Sequence, residues 1–409
     1  MFSYFLFFAI WLLQVQAISL DRRDGSSKPG FLTHSKEELD AEFKKLSKGE
    51  RFKTNMGEYY NDEVYWDGHF GRRKDFEKEH PFDYSKDGVD DRDHEYSGGH
   101  PRFSASRLPG LADRDGEFSY IATHSPLYLG RSQKYLYWDL IYKHTKGSVV
   151  IVDLVNYGPD PLVQEDEGQE DLIPTKKTGS LSFSPPNKIE IQGEYPDQTV
   201  KDLGKPVPPY EGKYNLLYRS HEKMAYEDIE YTDLILNHES SVNPKERRNI
   251  GYFHLKNWKN RSVITADIMQ ALIEEVDKKA QDATILVNCM YGQGRTGTFI
   301  EAREIYNVTV KAKNTKWFFS SEDPIKDYTV KLRKTRSQML DSPLQWEYMH
   351  NVWAARMWDR MSAGTKRPGD GTQSGPATKT SFSTKTTGST TKPAPTTTKP
   401  APTSEKTAA

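Results

Sequence analysis

Cysteine is nearly absent from this chain: its 409 residues include one, Cys289. No internal disulfide can form, so stability must come from a buried core of some size. A lone thiol in such a chain is kept for chemistry rather than for stapling. An excess of charge of one sign is lacking too. The chain has 57 Lys and Arg against 58 Asp and Glu, which implies no attraction to nucleic acid or to bulk membrane. Long apolar runs are missing except at the start, Met1 to Ala17 (MFSYFLFFAIWLLQVQA). That run is short for a bilayer span and ends Val15-Gln16-Ala17, like a cleavage site. It reads as a secretory signal, although Lys and Arg are missing from its first residues. An uncleaved signal anchor is the alternative. No later run is apolar enough to span, so the expectation is a secreted chain starting at Ile18, with no membrane span after cleavage.

Composition divides the rest of the chain. Residues 18–95 are strongly charged with scattered aromatics. Within them Ser35-Lys36-Glu37-Glu38 is a capping box, and Leu39, Phe43 and Leu46 repeat at helical spacing. Residues 55–99 read as a mobile insert. Asp83 to Gly88 resembles the start of a calcium loop. Its twelfth position, however, is His94, with Glu95 one residue late, so a solvated acidic turn is the default and no metal site is expected. Residues 96–361 are globular in composition, with strand-like and helix-like segments alternating. Residues 362–409 are Thr, Pro, Lys, Ser and Gly, with Thr-Thr-Lys-Pro-Ala-Pro-Thr repeated. Such a tail buries no core and reads as disordered and mucin-like.

The richest stretch runs from Val287 to Thr298. An apolar run, Ala283 to Val287, predicts a buried strand, and Phe299 to Tyr306 predicts a helix. Between them lie Cys289, Met290, Tyr291, Gly292, Gln293, Gly294, Arg295 and Thr296. A tight glycine loop entering a helix turns successive N–H groups inward, and the helix dipole adds positive potential. Arg295 can close that cup with a bidentate fork onto phosphate. The field that holds an oxyanion also favours a thiolate over a thiol, which makes Cys289 a candidate nucleophile. Thr296 can donate its hydroxyl to the sulfur. The same residues spell GxGxxG, but a dinucleotide site needs a βαβ unit and an acid about 20 residues on. Glu322 and Asp323 match that poorly, and too little chain follows to build the sheet.

C-x5-R-[ST] with internal glycines resembles the signature of the cysteine-dependent phosphatases, and GRTGTF is similar to their protein-tyrosine-phosphatase branch. Tyr120 to Leu127 (YIATHSPL) is similar to that family's YIATQGPL segment, and the Trp138 helix falls where the family has its FW helix. The resemblance implies an α/β fold with a mixed, highly twisted central sheet flanked by helices. It implies no cofactor, and as partner a phosphotyrosine-containing protein or other phospho-ligand. By the same resemblance Cys289 is the nucleophile, Arg295 and the N–H groups of Met290 to Gly294 hold the phosphate, Thr296 assists departure of the sulfur, and Gln345 places the water.

The departures from the pattern are as informative. Asn257-Trp258-Lys259-Asn260 stands where the family has its movable WPD loop, so Asn260 replaces the general acid and cannot give up a proton. Asn288 stands where a histidine precedes the cysteine. Phe103 falls where the family grips the phosphotyrosine ring. The expectation is phosphate binding with slow hydrolysis through a cysteinyl phosphate. The alternatives are a pseudophosphatase that only binds phospho-ligands or a partner, and an extracellular structural module with a vestigial pocket. Asn260 and Asn307 are both N-glycosylation sequons.

Overall fold

The computed structural model describes residues 27–52, 63–66, 69–79, 96–97, 100–114, 116–127, 131–157, 169–185, 188–189, 201–202, 211–240 and 246–365. The calcium-loop candidate at 83–94, the leader and the Thr/Pro tail lie outside them. Among the described residues no group of three or more His, Cys, Asp or Glu is placed to hold a metal. No helix there is long and apolar enough to cross a membrane.

Helix α1 (Lys36–Phe52) begins at the capping box. Ser35 Oγ accepts the Glu38 N–H at 3.2 Å, and a Glu38 carboxylate oxygen accepts the Ser35 N–H at 2.7 Å. The two orphan donors are satisfied reciprocally. Leu39 and Phe43 are buried.

The expected mobile insert is in part folded. Strands β1 (Glu63–Trp66) and β2 (His69–Arg72), helix α2 (Arg73–Glu79), and strands β3 (Tyr96–Ser97) and β4 (His100–Phe103) lie within or beside it. The strands make a small sheet of order β2-β1-β4-β3. Three apolar residues in a row, Val64, Tyr65 and Trp66, bury both faces of β1. Glu63 pairs with Arg107 at 2.7 Å, which ties β1 to strand β5 (Ala105–Leu108).

Next come β6 (Tyr120–His124), helix α3 (Arg131–His144), β7 (Ser148–Asp153), β8 (Ser180–Phe183), and the short β9 (Lys188–Ile189) and β10 (Lys201–Asp202). They are followed by β11 (Tyr214–Lys223), β12 (Ile229–His238), β13 (Arg248–Leu255), helix α4 (Ala266–Ala280) and β14 (Thr284–Cys289). In the described residues that follow β7, Leu172 and Ile173 are buried, and β8 pairs with β11 as an edge strand.

The central sheet has eight strands in the order β5-β6-β14-β7-β13-β12-β11-β8. β6, β14, β7 and β13 pair in parallel, and the flanking pairs are antiparallel. The sheet is mixed, as expected. β14 lies between two parallel neighbours, which is why its sequence is a continuous apolar run. Its side chains still alternate. Ile285, Val287 and Cys289 face the layer that holds α4, whereas Leu286 faces α3 with Trp138 and Ile141. Thr265 caps α4, accepting the Ile268 N–H at 3.3 Å. After β14 the chain is helical: α5 (Gly294–Tyr306), α6 (Pro324–Arg333), α7 (Pro343–Glu347) and α8 (Ala355–Thr365). α8 runs to Thr365, four residues past the boundary that composition predicts.

Glu301 of α5 is fully buried, with its carboxyl on the Thr329 hydroxyl of α6 at 3.0 Å. Burial holds its titration well above the usual carboxylate range, and Asp323 adds to this, while Thr329 and Arg333 oppose it. The folded chain therefore keeps a proton that the unfolded chain loses. The resulting stability is fully present below the ordinary carboxyl range and declines as pH rises towards the folded-state value. Glu301→Gln is expected to melt a few degrees higher than the parent at pH 8, at about 2–4 °C per kcal/mol. At pH 4 the two should coincide. Thermal melts at the two pH values check this.

Candidate functional site: the loop between β14 and α5

β14 delivers Cys289 to the carboxyl end of the sheet, opposite His124 of β6 in register. The loop after it is held from outside by its carbonyls. Met290 O accepts the Ser125 N–H at 3.1 Å, and Gln293 O accepts the Gly297 N–H at 2.7 Å. The Arg336 guanidinium donates to Tyr291 O at 2.8 Å and to Gly292 O at 2.7 Å. Thr298 Oγ1 donates to Gly294 O at 2.9 Å. In a trans peptide the N–H points opposite to the C=O. Five carbonyls anchored outward therefore leave the N–H groups of Tyr291 to Arg295 turned to the other side, as an anion cup requires. Gly292 has φ +65°, and a Cβ there would lie 2.2 Å from Thr123 O. Only glycine lets the loop sit this close to β6.

Arg295 is 1% exposed, and its Nη1 donates to Trp258 O at 2.7 Å. Arg295 Nε and Thr296 Oγ1 are buried without a partner, so the expected bond from Thr296 to the sulfur is not formed in this state. The Trp258 loop is docked onto the site. Trp258 is fully buried with Nε1 on Ser262 O at 3.0 Å, and Gln345 Nε2 donates to Ser262 O at 3.4 Å. Asn257 and Arg261 turn the loop with φ of 62° and 55°. Lys259 and Asn260 at its tip are exposed. The second sequon is less accessible, because Thr309 is fully buried and bonded to Ile305 O at 2.5 Å.

Behind the cysteine, Asn288 takes up a role that sequence reasoning missed. Its Nδ2 donates to Asp153 Oδ1 at 2.7 Å, and Tyr137 donates to its Oδ1 at 3.3 Å. Asp153 also accepts from Tyr157 at 2.6 Å, from Tyr252, and from the Val155 N–H. Burial first, and the Asp153 charge second, hold all three tyrosines well above the usual phenol range. Tyr157 and Tyr252 act as neutral donors to the Asp153 carboxylate, and Tyr137 as a neutral donor to the Asn288 amide.

Phe103 does not reach the site. It is fully buried, 4.3 Å from the His124 ring and 5.8 Å from Tyr137, so it is core and cannot touch a substrate ring. Gln345 is brought to the loop: its Oε1 would lie 2.9 Å from a Cβ on Gly294. Two residues beside the loop were not foreseen, Arg336 and Asp341. The first looks like any basic residue in a charged run, and the second like a turn acid before the Ser342 cap; neither carries a local signal. The dinucleotide reading fails on topology, since no strand follows α5 among the described residues.

The family model for protein-tyrosine phosphatase matches residues 207–355. Among solved structures, the protein tyrosine phosphatase TbPTP1 of Trypanosoma brucei is similar over 83% of this chain and 98% of its own, at 14% identity and a TM-score of 0.50. The catalytic domain of human protein tyrosine phosphatase non-receptor type 18 aligns over 62% of this chain and 74% of its own, at 15% identity and a TM-score of 0.43. No curated protein matches the chain. Residues 207–355 thus match the protein-tyrosine-phosphatase family, and the mixed sheet with its helices shares the fold of TbPTP1.

Proposed function

We propose that this chain binds phosphate monoesters, phosphotyrosine foremost, in the loop from Cys289 to Thr296 and hydrolyses them slowly through a cysteinyl phosphate. The observation that supports this most is the loop itself. The carbonyls of Met290 to Gly294 are tied outward, while Arg295 Nε and Thr296 Oγ1 are left unpartnered in the same loop as the cysteine. In the first step Cys289 Sγ attacks phosphorus and the tyrosyl oxygen leaves. In the second, water cleaves the P–S bond and the sulfur departs. Fixed donors aimed at the phosphoryl oxygens usually contribute most to the rate of such chemistry, and here they need no reorganisation.

Asn260, exposed at the loop tip, has no proton to give, so the tip of the Trp258 loop supplies no general acid. The same substitution favours the second reading, a non-catalytic phospho-ligand module. Phosphate release from a phosphotyrosyl peptide, with Cys289→Ser as the blank, separates the two. Release above the blank supports hydrolysis, whereas tungstate binding without release leaves the binding module. The apolar Met1–Ala17 run supports a place outside the cell. Sequencing the exported chain checks that: Ile18 as the first residue agrees, and Met1 overturns it.

A further inference from the structure

The geometry points to Asp341 as the acid and base of this site. It gives a proton to the leaving oxygen in the first step and takes one from water in the second. The inference rests on the hydrolytic reading of the loop and deepens it.

Asp341 stands just before Ser342, the cap of α7, whose Oγ receives the Gln345 N–H at 3.3 Å. Its carboxyl is pressed onto the loop: a Cβ built on Gly294 would lie 2.1 Å from Asp341 Oδ1 and 2.9 Å from Gln345 Oε1. Gly294 must therefore be glycine to admit the carboxyl. Asp341 Oδ1 and Gln345 Oε1, which meet at Gly294, are buried and lack a partner, and so are Arg295 Nε and Thr296 Oγ1 in the two residues that follow Gly294. Buried polar groups are rarely left so unless something else occupies the place. Two are donors suited to a phosphoryl group or a departing sulfur. The other two are acceptors that meet at Gly294, so one water can donate a hydrogen to each and turn its lone pair to phosphorus.

The proton balance closes. Asp341 begins as the acid. As the Sγ–P bond forms and the P–O bond breaks, its proton passes to the tyrosyl oxygen, leaving a carboxylate. The carboxylate then takes a proton from water as the new P–O bond forms, the P–S bond breaks and the thiolate departs. In an in-line displacement the leaving and the attacking oxygen both lie opposite the sulfur. One carboxyl can serve both.

The environment fits that cycle. Burial lifts the Asp341 carboxyl above its usual range, although the charged groups facing it, Arg261, Arg295 and Arg333, all pull it down. Arg261 Nε is 3.6 Å from Oδ2 and belongs to the docked loop.

The test uses the full chain, with phosphotyrosine and 2,4-dinitrophenyl phosphate as substrates and Cys289→Ser as the blank. Asp341→Asn should lower kcat on phosphotyrosine by about 10²–10⁴-fold, the range of general acid–base catalysis. It should lower kcat less on the dinitrophenyl ester, whose leaving group needs no proton. The alkaline limb of the pH profile should disappear, and tungstate should bind no more weakly than to the parent. Asn260→Asp should change the rate by less than about tenfold, since the site already has its acid. If the parent turns over and Asp341→Asn keeps its rate and pH profile, this inference alone is wrong. Loss of tungstate binding in Asp341→Asn would also overturn it, because the carboxyl would then be holding the loop. If the parent shows no turnover above the blank, the hydrolytic reading falls and this inference with it.

Discussion

Arg295→Ala is expected to lose about 10²–10⁴-fold in affinity for tungstate or vanadate. The figure is two charge-assisted hydrogen bonds at about 1.5–3 kcal/mol each. The backbone cup remains in the variant, because its carbonyls are held by Ser125, Arg336, Thr298 and the turn of α5 rather than by Arg295. There is a structural cost as well, since Arg295 Nη1 satisfies Trp258 O and the side chain is buried. Leaving that carbonyl unpaired costs about 1–3 kcal/mol, enough to loosen the 257–262 loop and not enough to unfold the domain. Arg295→Lys keeps the charge without the fork, so it should recover only part of the affinity. Calorimetry with tungstate, beside thermal melts, measures both effects. Equal affinity in the parent and Arg295→Ala would remove the loop as an anion site.

The second large effect belongs to Gly292→Ala, which should abolish oxyanion binding and lower the melting temperature. Alanine at φ +65° costs about 1–2 kcal/mol by itself. The added methyl also meets Thr123 O at 2.2 Å and Arg336 Nη2 at 2.8 Å, so backbone or a buried guanidinium must move. Either movement pulls at the bonds that turn the carbonyls outward. Gly179→Ala is the control. It has φ +71° and open space around the position, so it carries the same conformational cost without the clash. It should leave binding unchanged. The difference in stability between the two variants isolates the close approach, at about 1–3 kcal/mol. Matching melts and matching tungstate affinities would mean that the loop tolerates a side chain at 292.

Local rules account for what could be read along the chain. The run of apolar residues before Cys289, the glycine pair and the helix formers after it each act within a few residues, so strand, loop and helix were all legible. The same holds for the capping box at Ser35 and the Thr265 cap. Whole segments were misjudged where the deciding contact is distant. Glu63 to Trp66 looks like a short hydrophobic patch in a charged insert until Arg107 and Asp139 are placed beside it. Phe103 falls at the ring-gripping position by resemblance, because nothing local says that His124 and Tyr137 close over it.

The sequence by itself determined that this protein has a nucleophile, an arginine and a glycine loop in the order and spacing a phosphate needs. It also determined that the loop tip at Asn260 has no acid, because the chemistry of a side chain is a property of the residue alone. Only the tertiary structure decided which way the loop faces and which groups converge on it. The carbonyls point outward because Arg336, more than forty positions further on, arrives beneath them. Asp341 comes to lie on Gly294 because α7 packs against the start of α5. Such meetings depend on strand register and helix packing across the whole sheet, and no window of sequence contains them.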